Sequence, residues 1–288
     1  MNKLKFYIKK ILKLFGINFY TKKQKRVLGK KTPSSNSEFD SVILFTTHKC
    51  ATNFISKLLI ELENETDYIH YDYGYLVGGF VDKFKITGDY ETYINPNYKF
   101  LFSKNGEIYG PQRKPLDFPG LENYKKIFFL RDPRDVLVSA YYSFGKTHKT
   151  PNQKNIKKRF IKERNRINQM SIDEYAIEQA EEWLLPLYKN YELHHNSECN
   201  SIYLKYEKYT ENPEAFIEEI FDFLQVDLPS LAIDLSKKAN PIQNKIDNES
   251  HQRSGRSGQW KNELSLDTQR KINILLKDTL NYWNFSIN

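Results

Sequence analysis

SVILFTTHKCATNF, residues 41–54, decides the fold class. Its first half is an unbroken apolar and β-branched run, the composition of a strand covered on both faces, and such strands belong to parallel sheets. Its second half turns through His48, Lys49, Cys50 and Ala51 into an apolar helical stretch, predicted from Phe54 to Leu62. A strand that ends in a short loop and enters a helix aims successive backbone N–H groups at one point, with the positive end of the helix dipole behind them. That point suits an anion of phosphate size. Cys50 and Ala51 are small enough to let the backbone approach it, and Lys49, Thr52 and Asn53 add donors. The loop lacks the G-x-x-x-x-G-K-[ST] pattern, and no acidic strand end suited to Mg²⁺ accompanies it, which disfavours an ATPase. Taken alone, an ordinary capped helix start is the plainer reading of the loop.

Working outward, KKIFFLR (125–131) and SIYLKY (201–206) read as further buried strands, each followed by a helix. Asn212 with Pro213 forms an N-cap and first helical position for a helix through Phe216, Ile220 and Leu224. Ser171 and Glu174 make a capping box for a helix through Tyr175 and Trp183. A last helix is expected from Leu266 to Trp283, and another within KNIKKRFIKERNR (154–166). Strands separated by helices predict an α/β fold, a central parallel sheet flanked by helices. Residues 64–124 are aromatic and turn-rich and carry no readable period.

Composition narrows the class. The chain has 288 residues, 39% hydrophobic and 15% aromatic, so it buries a core and is not disordered. No apolar run approaches the roughly 18 residues of a membrane span. Two cysteines make no disulfide framework, which points to a reducing, cytoplasmic compartment. The net charge of +8 is unevenly placed: residues 1–31 hold 11 Lys/Arg and no acid, leaving 33 basic against 36 acidic residues. A second basic stretch, 146–166, carries nine Lys/Arg against Glu163. Two blocks of charge imply anionic partners at two places, not a nucleic-acid footprint.

Residues 1–17 set Leu4, Ile8, Ile11, Leu12 and Phe15 at helical spacing among Lys5, Lys9, Lys10 and Lys13. Such a helix suits the surface of an anionic membrane; packing on its own domain is the plainer alternative. The expected organisation is a basic amphipathic arm and linker over 1–38 and one catalytic domain over 39–288.

Two later segments resemble anion sites as well. RDPRDVLVS (131–139) leaves the end of the second strand, where an Arg faces the ligand crevice of a parallel sheet, and Ser139 lies two turns into the helix that follows. RSGRSGQWKN (253–262) places two Arg and two Gly within six residues. All three sites together fit one ligand with two separated anionic groups.

These segments carry a resemblance to the sulfotransferases that use 3′-phosphoadenosine 5′-phosphosulfate (PAPS). TTHKCATNF is similar to that family's TYPKSGTTW loop, keeping the Lys and one Thr in register. RDPRDVLVSAY resembles RNPKDVxVSxY closely, and RSGRSGQWKN resembles RKGxxGDWKN. Tyr206-Glu207 followed by Asn212-Pro213 is similar to YEDLxxxP. The similarity runs in order from about 41 to 285.

The resemblance implies a P-loop-like sulfotransferase fold with PAPS as co-substrate and no metal. By position, it implies that Lys49 contacts the oxygen bridging phosphate and sulfuryl group, and that Cys50, Ala51, Thr52 and Asn53 hold the 5′-phosphate. Arg131, Ser139 and Arg253, with the backbone of Ser254 and Gly255, would bind the 3′-phosphate. Phe54 and Tyr206 would border the adenine. The acceptor would bear a hydroxyl, or an amine, on a carbohydrate, a lipid or another alcohol. Many members have a Lys-Thr-His run whose His is the general base; the matching offset falls near Tyr109, without a His. His48, His70 and Asp72 are the candidates for that task, and Arg113 and the stretch 146–166 are available to an anionic acceptor. A P-loop nucleotide kinase and a noncatalytic anion- or membrane-binding module remain as alternatives.

Overall fold

The computed structural model describes residues 22–29, 38–78, 90–151, 154–195, 200–239 and 254–287. Five strands, β1 (Val42–Thr46), β2 (Ile69–Tyr71), β3 (Glu107–Gln112), β4 (Lys125–Leu130) and β5 (Ser201–Lys205), form one sheet in the order β2-β3-β1-β4-β5. Every pairing is parallel. The strand that opens the sheet in sequence therefore lies at its centre. β4 and β5 extend to one side of it, β3 and β2 to the other, so β1 delivers its loop where two halves of a crevice meet.

The helices that position the site are α1 (Lys22–Val27), α2 (Thr52–Glu65), α3 (Tyr73–Gly78), α4 (Pro133–Tyr142), α5 (Lys154–Ile167), α6 (Ile172–Gln179), α7 (Leu185–His194), α8 (Tyr206–Glu211), α9 (Pro213–Leu224), α10 (Leu266–Leu275) and α11 (Lys277–Tyr282). Val42 and Leu44 pack with Ile55, Leu58, Leu59 and Leu62 of α2 and Phe216, Ile217 and Ile220 of α9. Ile43 and Phe45 face the opposite layer, with Val136 and Leu137 of α4, Leu187, Tyr188 and Tyr191 of α7, and Leu280 of α11. Alternate residues of β1 thus enter two different cores, which is why the strand is apolar at every position.

Local signals behave as the sequence predicts at two helix starts. Asn212 Oδ1 accepts from the Ala215 amide at 3.1 Å with Pro213 in the first turn of α9. Ser171 and Glu174 form the capping box of α6. The expected single helix through Trp183 is interrupted by a π-turn, Ala180–Leu184, before α7. Pro186, near the start of α7, has no N–H and crowds the carbonyl four residues back, and the wider turn relieves that crowding. The expected helix from Leu266 to Trp283 is also two helices, α10 and α11, broken at Leu276. The break lets Leu276, Leu280 and Trp283 all enter the core.

The unassigned stretch 64–124 supplies β2, α3, two short helices (Tyr90–Ile94 and Tyr98–Leu101) and β3. Within the stretch read as linker, α1 packs on the domain. Val27 is fully buried, Arg26 Nε donates to the Phe100 carbonyl, and Arg26 Nη1 pairs with Glu107 Oε1 at 2.5 Å, both side chains 3% exposed. The amphipathic arm, 1–17, lies outside the described residues. Among the described residues no helix is long and apolar enough to cross a membrane.

Candidate active site

The loop after β1 is built as an anion cradle. Lys49 (φ 65°) and Ala51 (φ 44°) both adopt left-handed backbone, which turns neighbouring amides toward one side. Such φ values are unfavourable for residues other than Gly and persist where surrounding contacts enforce them. Ala51 is the N-cap of α2, with no side chain capping the first turn. Its carbonyl already serves the amides of Phe54 and Ile55. Thr47 is fully buried and its hydroxyl lacks a protein partner. Cys50 contributes backbone only: its thiol turns inward to the Phe129 carbonyl at 3.5 Å, and burial pushes it up to about 12. Thr52 is partly buried, and Asn53 is exposed at the mouth.

Arg131 ties this loop to the other segments. Nη1 donates to the Lys49 carbonyl at 3.1 Å and Nη2 to the Arg256 carbonyl at 2.7 Å, while the guanidinium lies 4.5 Å from the Tyr206 ring centre. Its Nε is buried without a hydrogen-bond partner. Tyr206 in turn donates to the Gly255 carbonyl at 2.9 Å. One face of Tyr206 is therefore taken by Arg131, so this ring acts first as a support for the guanidinium. Phe54 packs against Tyr209, ring centres 4.8 Å apart, on the same side of the sheet.

The late loop is pinned from two directions. Asp135 accepts from the amides of Gly258 at 2.6 Å and Trp260 at 3.1 Å, and Ser257 donates to Glu207 Oε1 at 2.8 Å. Ser254 is 2% exposed, and its hydroxyl accepts from the Arg256 amide. Arg134 does not face the crevice. Asp132 holds it in a bidentate pair and it stacks on Trp260 at 3.8 Å. Ser139 sits partly buried on α4, and Arg253 lies outside the described residues. Thus Lys49, Arg131, Tyr206 and the 254–260 loop converge.

Lys49 is pushed down to about 8 by burial and then by Arg131. A cation so placed is short of negative charge, which an anionic ligand would supply.

The base candidates lie on the β1, β3 and β2 side. His48 meets Phe144 and Trp183 edge-on and is pushed down to about 3 by burial, then by Arg113, Lys114, His148 and Lys49. Asp72 follows β2 and accepts from the Tyr75 amide at 2.8 Å; burial raises its carboxyl. His70 is 5% exposed and its Nε2 is 2.7 Å from the Gly110 carbonyl, so its ring is sealed from solvent although it lies near enough to Asp72 for each to act on the other.

Sequence reasoning missed two tyrosines. Tyr188 donates to the Arg131 carbonyl, and Tyr191 to the carbonyls of Thr46 (2.8 Å) and Gln112 (3.3 Å). Three residues apart on α7, they hold the carboxyl ends of β4, β1 and β3. No motif announces them. Asp135 stood inside a quoted motif, but its partners became visible only in the folded chain.

A search of the curated proteins gives no match. Among solved structures, mouse sulfotransferase SULT7A1 complexed with PAP aligns over 91% of this chain and 90% of its own, at 14% identity and TM-score 0.56. Retinol dehydratase in complex with androsterone and inactive cofactor PAP aligns over 83% of this chain and 80% of its own, at 18% identity and TM-score 0.49. A putative steroid sulphotransferase of Arabidopsis thaliana aligns over 93% of this chain and 85% of its own, at 13% identity and TM-score 0.47. The first of these shares the fold. The family model described as sulfotransferase domain matches residues 115–283, more than half of the chain and a span that includes Arg131, Ser139, Tyr206 and the pinned loop. This chain belongs to the sulfotransferase family.

Proposed function

We propose that the protein transfers the sulfuryl group of PAPS to a hydroxyl, or an amine, of an acceptor that enters over the carboxyl ends of β1, β3 and β2. One observation carries this reading: Arg131 joins the Lys49 loop to the 254–260 loop, so the segments suited to the two ends of the nucleotide form a single crevice. The residues fit a dianionic ligand, because Thr47 and Arg131 Nε are buried donors without protein partners and Lys49 is an undercompensated cation.

In this reading the amides of Cys50 to Asn53 receive the 5′-phosphate, and Arg131, Ser139, Arg253 and the backbone of Ser254 and Gly255 receive the 3′-phosphate. Phe54 and Tyr206 border the base. The acceptor oxygen bonds to sulfur as the bond from sulfur to the bridging phosphate oxygen breaks. The electron pair stays on the phosphate, where Lys49 stabilises it more strongly than in the ground state. The acceptor proton passes to His48 or Asp72. His48 adjoins Lys49 in the chain and is uncharged at neutral pH; the anions that enter between Lys49 and Arg113 raise its basicity. Release of PAP from PAPS in the presence of acceptor, followed by chromatography, tests the reading. Lys49→Ala is expected to lower the rate by roughly 10²–10³, and undiminished turnover contradicts it.

We further propose that residues 1–17 rest on an anionic membrane surface and that the enzyme works in the cytoplasm. Support comes from the lysine-flanked apolar stripe and from the packing of α1, which anchors the chain just after it. Vesicles containing phosphatidylserine should carry the full chain upward in a density gradient at low salt. The chain carrying Lys9→Gln, Lys10→Gln and Lys13→Gln should stay behind. Equal behaviour of the two proteins contradicts the membrane role.

A further inference from the structure

The crevice has a second cationic half, beyond the residues assigned above to the nucleotide. Arg113 directly follows β3, the neighbour of β1 on the side away from β4. Its Nη2 lies 3.1 Å from the point where a Cβ on Gly74 would sit, and Asp72 Oδ1 lies 3.2 Å from the same point. A side chain at Gly74 would crowd the guanidinium, which sits at the carboxyl end of β2. Arg113 is partly buried and makes no hydrogen bond or ion pair within 4 Å to a described residue. Asp72 accepts from the Tyr75 amide and is close enough for the charge of Arg113 to act on it, without a direct ion pair within 4 Å. Across the crevice stands His48, close enough to Arg113 and Lys114 for both to act on its imidazole.

The wall above this half is cationic too. Phe144 packs on His48 and on His148, and His148 packs on Phe160 of α5. Arg164 of α5 donates to the carbonyls of Phe144 and His148, fastening the helix to the rim. The only acid of 146–166, Glu163, is held by Arg166 at 2.6 Å. Lys157, Lys158, Arg159 and Lys162 are exposed. Arg131, by contrast, is committed to the nucleotide half through its bonds to Lys49 and Arg256.

We propose that the acceptor is itself an anion, a hydroxyl compound that carries a carboxylate or a phosphate, and that Arg113 binds that group. This rests on the sulfuryl-transfer reading of the same crevice and adds the class of acceptor to it. A guanidinium matches a carboxylate or phosphate with two parallel hydrogen bonds, and the excess of positive charge on the rim, where Asp72 is the acid acting on Arg113, favours such a ligand. Binding of the anion also offsets the positive field on His48, which favours proton transfer from the acceptor hydroxyl.

The test uses the full chain and two matched acceptor pairs: 4-hydroxyphenylacetate against its methyl ester, and glucose 6-phosphate against glucose. PAP binding is measured first by thermal shift. Without it the sulfuryl-transfer reading fails, and the inference with it. With PAP bound, at least one anionic member should be sulfated with kcat/KM about tenfold or more above its neutral partner, a difference of about 1.4 kcal/mol; which pair responds distinguishes carboxylate from phosphate. Arg113→Gln should raise KM for the anionic member about tenfold, bring the pair close together and leave the PAP-induced shift intact. Equal or better turnover of the neutral members, an equal effect of Arg113→Gln on both members, or a PAP-binding protein that accepts neither anion overturns the proposal.

Discussion

The Arg131 guanidinium donates to the main-chain carbonyl of Lys49 at 3.1 Å across 82 residues of sequence. This bond makes the second anion motif a structural part of the first, because it braces the left-handed turn that aims the loop amides. Arg131 also reaches the Arg256 carbonyl. Arg131→Ala leaves two carbonyls unserved and, in the proposed reading, also removes a ligand for the nucleotide, so its expected effect combines lost binding with a loosened loop. Lys49 separates these effects better.

In the proposed reaction Lys49 stabilises the leaving phosphate only when protonated, and in the free enzyme it is pushed down to about 8 by burial and then by Arg131. The pH profile of kcat/KM for PAPS should hold level below that value and fall above it, because the profile reports the free enzyme. Lys49→Arg should move the alkaline limb upward beyond pH 10 whatever it does to the plateau. A wild-type profile flat to pH 10 contradicts the assignment.

The same depression has an opposite sign for stability. Between about pH 8 and the unfolded lysine value near 10.5 the unfolded chain binds the extra proton, so folding is weakened below about 8 and recovers as pH rises. Lys49→Met at pH 7 should therefore raise the Tm of the ligand-free protein by about 2–4 °C, while transfer is lost. Scanning calorimetry at pH 7 and pH 10 checks this. A lower Tm for the variant at pH 7 means that Lys49 is well compensated in the folded state.

Asp135 pins the late loop by accepting from the Gly258 and Trp260 amides. Asp135→Asn weakens two charge-assisted bonds, worth about 2 kcal/mol together, and should weaken PAP binding about 30-fold. Chain unfolding by urea should change less than PAP affinity. Unchanged affinity shows that the loop holds its shape without this carboxylate.

Arg26 and Glu107 form a buried pair, with Glu107 at the amino end of β3, the opposite end of that strand from the crevice. Glu107→Gln leaves Arg26 charged and unpaired, and should cost about 3–5 kcal/mol of stability. PAP affinity of the folded fraction should be unaffected. A stability loss below about 1 kcal/mol shows that Arg26 finds another partner.

Pattern and packing explain what could be read beforehand. VILFT and KKIFFL are legible because each enters two apolar layers, and such strands need no contact information. β3 was hidden because Glu107, Gly110 and Pro111 in EIYGPQ run against strand composition. Its Glu107 is neutralised by Arg26, 81 residues earlier, and its Tyr109 donates to the same carboxylate. Gly110 lets the chain approach Leu44, where a Cβ would lie 3.0 Å from the Leu44 carbonyl oxygen. Pro111 lacks an amide donor, and the register with β1 shifts between Ile43 and Phe45, beside it. Because β3 was hidden, so was Arg113 as a strand-end residue. The half of the crevice proposed for the nucleotide showed through local motifs; the half proposed for the acceptor depends on contacts between β2, β3 and the wall after α4, which no local window contains.

Calorimetric titration of the full chain with 3′,5′-adenosine bisphosphate, free of metal, tests the convergence of the loops most directly. One saturable site per chain, lost in Lys49→Ala and weakened at least tenfold in Ser139→Ala, is the predicted result. No heat and no saturation, or binding that survives both substitutions unchanged, contradicts it.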